Sequence, residues 1–444
     1  MANVGQDAPD IEDRLDEGDL VGDLKFDVAV MGDSYALRYT YSDRYSEGTV
    51  RRMASAFDRI LSGMLSCRRL SEIEYITEED AAVCERINDT SVPLEHEDIV
   101  ESFRIRVRSS PDSLMLNYIG RRYTCAEVDS LSDSVAAALA SAGISGKDRV
   151  AVMVPRSEWY LICAIGVMKT GAAYVPIDTT YPDERIGFMI SDSSAKAVLV
   201  TPETAERARI LCSAIIVDCT SVPDQHFSLV PASPRDTAVV LYTSGTTGKP
   251  KGSLITRLAI ENLCEWYVDF TGMGPKDNYS LFASCAFDMH TLMFTPIVGG
   301  GALDIVPEDV RLDIDALNSH FRGYGCTHTF MTTRLGKMFA SQAGGDTSIR
   351  LLMYGGEKLG EFTAPDAVGA CESYGPSENL AISAAVMVND RGYSSSVGLP
   401  VYNVKAYILD RERRRVPVGA VGELYLSGYQ LSSGYLNNPE KNRE

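Results

Sequence analysis

The sequence predicts an α/β fold in which helices cover mainly parallel sheets, and three observations carry that prediction. From about residue 97, amphipathic helical stretches alternate with short apolar strands. In the middle of the chain, Asp236 to Leu241 reads as a buried strand running into a segment rich in glycine, hydroxyl and lysine residues. Near the end, Val404 to Leu409 and Gly422 to Ser427 alternate as antiparallel strands around charged turns. With 444 residues, 45% of them hydrophobic, the chain can bury the core of more than one compact domain.

The elements follow in chain order. Residues 1 to about 20 are acidic with little to bury, and are expected to be frayed or disordered. Residues 24 to 43 alternate like paired strands around Gly32-Asp33, a hairpin signal. Residues 47 to 64 place Val50, Met53, Phe57, Ile60 and Leu61 at helical spacing. Residues 65 to 95 read as a linker with a short helical stretch at Glu78 to Ile87. Thr124 to Ala142 is an amphipathic helix ended by Gly143, Arg149 to Val154 a strand, and Trp159 to Thr170 a helix ended by Gly171. Ala197 to Thr201 and Ala214 to Val217 are short apolar strands. The divisions expected are 1–66, 67–96 and 97–444, with no internal repeat.

A net charge of −19 argues against nucleic acid and against an anionic membrane surface, since both require a positive footprint. The 10 cysteines are scattered without CxxC spacing, which excludes a zinc-ribbon signature and fits reduced, buried thiols. The polar, acidic start does not read as a signal peptide, and no apolar run reaches membrane-spanning length. The expectation is a cytoplasmic protein.

The chemistry concentrates in Leu241 to Gly252, LYTSGTTGKPKG. Thr243, Ser244, Thr246 and Thr247 supply hydroxyls; Gly245 and Gly248 let backbone N–H groups approach an anion; Lys249 and Lys251 add charge around Pro250. This is a polyphosphate cradle, yet not a Walker loop, because proline follows the Gly-Lys pair. A flexible Ser/Gly loop would explain the glycines but not the two lysines directly after a strand.

In this segment the chain resembles the adenylate-forming enzymes: acyl-CoA synthetases, luciferases and the adenylation domains of non-ribosomal peptide synthetases. Met168 to Asp178 (MKTGAAYVPID), Tyr374 to Glu378 (YGPSE), Val397 to Pro400 (VGLP) and Gly422 to Leu436 (GELYLSGYQLSSGYL) match further motifs in the family's order. The resemblance covers roughly residue 95 to the end. It implies the family's large N-terminal subdomain, with helix-covered sheets and a distorted terminal β-barrel portion. Residues 24 to 64 resemble the tail of a condensation domain, but that family's His-His motif is absent among His96, His226, His290, His320 and His328.

The resemblance implies roles. Thr243 to Lys249 and Lys251 would hold the β- and γ-phosphates of ATP; Ser377 would contact the α-phosphate, and Glu378 would hold Mg²⁺, a hard cation that prefers carboxylate oxygen. Thr243, Lys251, Ser377 and Glu378 are thus the catalytic set, with Tyr374 and Gly375 in the same nucleotide-binding motif. Gly355-Gly356-Glu357 would lie against adenine. Asp288, after Phe287, would pair with a substrate ammonium; read alone it is equally a helix N-cap. The side-chain pocket carried over is Met289, Leu292, Thr333, Met353, Gly355, Ser373, Ala381 and Ile382. It has no charge, which implies a neutral, mainly apolar amino acid, with Gly355 and Ser373 leaving room at depth; the same residues also read as ordinary core. His290 reads as a neighbour of the pocket and not as a general base.

The implied reaction joins amino acid and ATP into an aminoacyl adenylate and pyrophosphate. Transfer to phosphopantetheine on a carrier domain would follow. Condensation and carrier domains of the same synthetase are the implied partners, and a small activating protein remains open. The sequence ends at Glu444 without the family's ribose-binding aspartate, hinge or C-terminal subdomain with its lysine. Weak or absent adenylation with residual binding is therefore expected of this segment. Arg257 and Ser253 stand where the family often has His and Val. The alternatives are an acyl- or aryl-CoA ligase, which has no ammonium for Asp288 to meet, and a non-catalytic docking platform.

Overall fold

A computed structural model describes residues 23–32, 34–243, 250–360, 365, 367–388 and 396–443. The acidic start, Asp33 and the loop residues Ser244, Gly245, Thr246, Thr247, Gly248 and Lys249 lie outside the described residues. The chain divides into two units: Met1–Asp89 with Ala406–Tyr425, and Thr90–Lys405 with Leu426–Glu444.

In the first unit, β1 (Leu24–Met31) and β2 (Ser34–Tyr41) pair antiparallel, as the alternation around Gly32 predicts. Phe26 packs against Tyr39 and against Phe57 of helix α1 (Glu47–Ser66), with both centroid separations 4.8 Å. Ser46 caps α1 by accepting from the Thr49 amide. Helix α2 (Glu78–Ile87) starts in a capping box between Thr77 and Asp80. Residues 406–425 join this unit through polar contacts: the Val418 amide donates to Asp80 (3.0 Å), and Asn88 brackets the backbone of Ala406 (2.7 and 2.9 Å).

The second unit begins with α3 (Ile99–Ser109), β3 (Leu114–Tyr118), β4 (Arg121–Thr124) and α4 (Cys125–Ser141). There follow β5 (Arg149–Met153), α5 (Trp159–Lys169), β6 (Ala173–Pro176), α6 (Asp183–Asp192), β7 (Ala197–Val200), α7 (Pro202–Leu211) and β8 (Ile215–Asp218). The hairpin β9 (Thr237–Thr243) and β10 (Lys251–Thr256) leads into α8 (Arg257–Thr271). Then come β11 (Asn278–Leu281), α9 (Thr295–Gly299), β12 (Ala302–Ile305), α10 (Ile314–Tyr324), β13 (His328–Thr332) and α11 (Thr333–Ala343). The chain continues through β14 (Leu351–Gly355), β15 (Gly369–Tyr374), β16 (Ala384–Val388), β17 (Leu399–Pro400), β18 (Val404–Leu409) and β19 (Glu423–Gly428).

These strands build a six-stranded sheet, β10-β9-β6-β5-β7-β8, and a nine-stranded sheet, β17-β16-β15-β14-β13-β11-β12-β3-β4. The centre of each is parallel, as helix–strand alternation requires. Strands such as β5 and β7 are short apolar runs because both faces are covered. Helix α5 is apolar nearly all round, so it is buried from Tyr160 to Lys169. Lys169 is held there by Asp129 and Asp133, each at 2.6 Å, so its charge stays compensated. One core joins α3, α4, α5, α8 and strands of both sheets. The terminal strands form the β16–β17 edge of the larger sheet and a β18–β19 ribbon, with no closed barrel among the described residues.

Candidate active site

Four neighbouring parallel strands, in the order β15-β14-β13-β11, bring their carboxyl ends together. In open α/β sheets that edge is where ligands bind. Asp288 follows β11, Thr333 follows β13, Gly355 to Glu357 end β14, and Ser373 to Glu378 end β15. Residues far apart in sequence are therefore gathered by sheet order alone.

Asp288 opens a 3₁₀ segment, Asp288–Phe294, in which every residue is buried. Its Oδ2 accepts a hydrogen bond from the Ser377 hydroxyl. Burial pushes the Asp288 carboxyl up to about 6, and the charge of Glu378 adds to that; the bonds from Ser377 and the Met289 amide pull the other way. The residue at the N-cap position of this segment is Phe287, which makes no side-chain cap. His290, two residues after Asp288, turns elsewhere. Its Nδ1 donates to the Phe287 carbonyl at 2.8 Å, and its Nε2 accepts from Tyr174 at 2.9 Å. Burial lowers the imidazole to about 4, so it is neutral, with its proton held on Nδ1.

Glu378 is half-buried, and its Oε1 accepts from the Tyr435 hydroxyl at 2.5 Å. The Tyr435 ring lies 5.6 Å from Lys251 Nζ. Lys251 is the register partner of Thr243, so the two cradle residues within the described chain sit side by side at the end of the β9–β10 hairpin. Gly252 next to them cannot carry a side chain: a Cβ there would meet Val240 at 2.9 Å and the Tyr242 ring at 3.1 Å. Lys251, Tyr435, Glu378, Ser377 and Asp288 thus form one continuous file linking the hairpin of the smaller sheet to the strand ends of the larger.

The remaining predicted residues surround this file. Thr333 donates to the Glu357 carbonyl at 2.8 Å, and Ser373 to the Tyr354 carbonyl at 2.9 Å. Met289, Leu292, Met353, Ala381 and Ile382 are buried members of the main core. Gly355 does not leave the room its missing side chain suggested. A Cβ there would meet Ser373 Oγ at 2.9 Å and Phe330 at 3.1 Å, so neighbouring atoms already fill that space. Gly356 has φ +91°, a conformation glycine permits. Tyr374 is exposed, and a Cβ on Gly375 would collide with the Ala381 carbonyl oxygen. That close approach seats a strained turn: Leu380 and Ala381 both have positive φ, 45° and 62°.

Tyr435, Tyr174 and Phe330 escape sequence reasoning. Tyr435 and Tyr174 lie inside quoted motifs, which was the available signal, but aromatic residues in apolar strings read as core. Arg257, where the family often has histidine, is fully buried and pairs with Asp98 at 3.0 Å, and it also donates to the Met168 carbonyl. It is a packing residue. A separate cavity of about 500 Å³ lies between α3 and α8, lined by Ser102, Arg106, Glu261, Glu265 and Tyr324 among others. It holds none of the motif residues.

The oxygen donors fit nucleotide and cation. A half-buried carboxylate flanked by a serine hydroxyl, with one lysine near, is a donor set for a hard divalent cation on phosphate. No helix among the described residues is long and apolar enough to cross a membrane.

Comparison with known proteins identifies the family and the fold. The family model of the AMP-binding enzymes matches residues 103–436. Bacitracin synthase 1 of Bacillus licheniformis is 30% identical over 431 residues, covering 95% of this chain and 8% of that protein. Tyrocidine synthase 3 of Brevibacillus parabrevis is 30% identical over 442 residues, covering 95% and 7%. The chain thus spans less than a tenth of the length of these two relatives. Among solved structures, the nonribosomal peptide synthetase FmoA3 with α-methyl-L-serine-AMP bound superposes with a TM-score of 0.84 at 21% identity, over 94% of this chain and 50% of that one. The N-terminal subdomain of Klebsiella oxytoca NpsA, in complex with 3-hydroxybenzoyl-AMSN, gives 0.67 at 22% identity, over 78% and 91%. The chain belongs to the AMP-binding enzyme family of ATP-dependent adenylating ligases, and its fold is that of the adenylation domains of nonribosomal peptide synthetases.

Proposed function

We propose that this chain selects and activates a neutral, mainly apolar amino acid within a peptide synthetase. The observation that carries the reading is the placement of a buried carboxyl group, Asp288, in hydrogen-bond contact with Ser377, the residue before Glu378, with Lys251 at the far end of the same file. A buried carboxylate is costly without a positive partner. A substrate ammonium supplies that partner and takes over the place of the Ser377 proton. Ser377 is then available to an α-phosphate oxygen. The substrate carboxylate attacks the α-phosphorus; the new carboxyl–phosphorus bond forms as the bond to the β-phosphate bridging oxygen breaks, and pyrophosphate leaves. Lys251 and Thr243 hold phosphate oxygens whose charge grows in the transition state. Mg²⁺ on Glu378 would supply charge neutralisation. Neutral His290 is not needed as a base, because a carboxylate is already the nucleophile. Transfer to a carrier phosphopantetheine thiol is the reaction that would consume the adenylate.

Calorimetric titration with non-hydrolysable aminoacyl-adenylate mimics tests this. Mimics with leucine-, methionine- or phenylalanine-like side chains should bind; those with lysine, arginine, aspartate or glutamate side chains should bind at least about tenfold more weakly, since they would be buried unpaired. Tighter binding of an aroyl-adenylate mimic than of every aminoacyl mimic would favour an aryl-acid ligase. No binding of any mimic would favour a docking platform.

A further inference from the structure

We propose that Tyr435 is a positioning residue for Glu378: its hydroxyl occupies Oε1 and fixes the carboxylate so that Oε2 is the oxygen left for a divalent cation on bound triphosphate. This rests on the nucleotide-site reading above.

The segment around Tyr435 is anchored on two sides. The Ser432 amide donates to the Glu378 carbonyl at 2.7 Å. The Ser433 amide donates to the Leu254 carbonyl (2.9 Å), the Leu254 amide to the Gly434 carbonyl (3.0 Å), and the Leu436 amide to the Gly252 carbonyl (2.7 Å). Gly434, at φ +117°, turns the chain between these bonds in a conformation open to glycine. The Tyr435 backbone is therefore pinned along β10 while its ring reaches across to Glu378. The ring also faces Lys251 Nζ at 5.6 Å. One side chain thus reaches both the lysine of the cradle, on β10, and the carboxylate of the YGPSE motif, in the turn after β15.

The hydroxyl is the informative part. At 2.5 Å the Tyr435 hydroxyl is in direct hydrogen-bond contact with Oε1, and only the hydroxyl can make that bond. A donor on Oε1 restrains the rotation of the carboxylate. A strap that merely held the segment in place would need the ring and the backbone bonds, but not the hydroxyl.

The test compares Tyr435→Phe with the parent chain, measuring AMPPNP affinity by calorimetry with Mn²⁺ and with chelator, and bound Mn²⁺ by electron paramagnetic resonance. The ring is retained and half-buried, and melting curves check the fold. Tyr435→Phe should cut the metal-linked gain in affinity about tenfold, the worth of a hydrogen bond to a charged group, and leave metal-free affinity within about twofold. Tyr435→Leu, which also removes the ring facing Lys251, should weaken metal-free binding as well, by about threefold. In a Glu378→Gln background Tyr435→Phe should add nothing. An unchanged metal-linked gain in Tyr435→Phe, or equal losses with and without metal, would overturn the proposal. A parent chain that binds no AMPPNP in either condition would overturn the nucleotide reading beneath it, a result that points away from Tyr435 itself.

Discussion

Two carboxyl groups of the larger unit are buried in nearly the same way, and they differ in what lies beyond the first hydrogen bond. Asp288 accepts from Ser377, and Glu261 on α8 accepts from Ser102 at 2.7 Å. Both are pushed up by burial, Asp288 to about 6 and Glu261 to about 8. Around Glu261 the further charges are Glu265, Asp98 and Glu95, all raising it again, and its Oε2 has no hydrogen-bond partner. Asp288 instead shares its serine with the motif that carries Glu378, at the carboxyl ends of parallel strands. A perturbed carboxyl group marks a functional site only when topology sets it among the other reacting groups.

That contrast can be broken most forcefully through stability. Both folded-state values lie above the unfolded ones, so the folded chain holds these protons over more of the pH range. Stability is greatest below the unfolded value and declines as pH rises, between 3.8 and about 6 for Asp288 and between 4.5 and about 8 for Glu261. Removing the charge should therefore stabilise the ligand-free chain in alkaline conditions, by about 5 kcal/mol for Glu261→Gln and about 3 kcal/mol for Asp288→Asn. Denaturant titrations across pH check this. Glu261→Gln should keep aminoacyl-adenylate binding and Asp288→Asn should lose it; equal losses would erase the distinction.

A second effect sharpens the same contrast in binding. An ammonium needs Asp288 ionised, so affinity for an amine-bearing mimic should fall about tenfold per pH unit below about 6. Glu261→Gln should leave that profile unmoved. A flat profile, measured by calorimetry, would remove the ammonium role.

Much of this was legible in the sequence because periodicity and turn chemistry are local. The β9 strand, the Gly32 hairpin and the helices ending near Gly143 and Gly171 each lie within a residue or two of their predicted bounds. The grouping of Asp288, Ser377 and Glu378 needed the resemblance, since no local pattern says which strands become neighbours. Tyr435 was hidden because its partner is 57 residues away. The space expected at Gly355 was misjudged for a related reason: a missing Cβ reads as a vacancy until the facing side chains, Ser373 and Phe330, are known.

Smaller effects follow from those neighbours. Gly355→Ala forces a methyl group against Ser373 and Phe330 and should cost about 1–3 kcal/mol in thermal unfolding. Thr333→Val removes the bond to the Glu357 carbonyl and should cost about 1 kcal/mol. Neither change should alter the pH profile of binding, because neither touches Asp288.

The most direct measurement compares one aminoacyl-adenylate mimic with its des-amino counterpart, on the parent chain and on Asp288→Ala, well above the Asp288 pKa. The parent chain should prefer the amine by about a hundredfold, the worth of a buried charge pair, and Asp288→Ala should abolish the preference. Equal binding of the two mimics by the parent chain, or a preference that survives the substitution, would contradict the ammonium role.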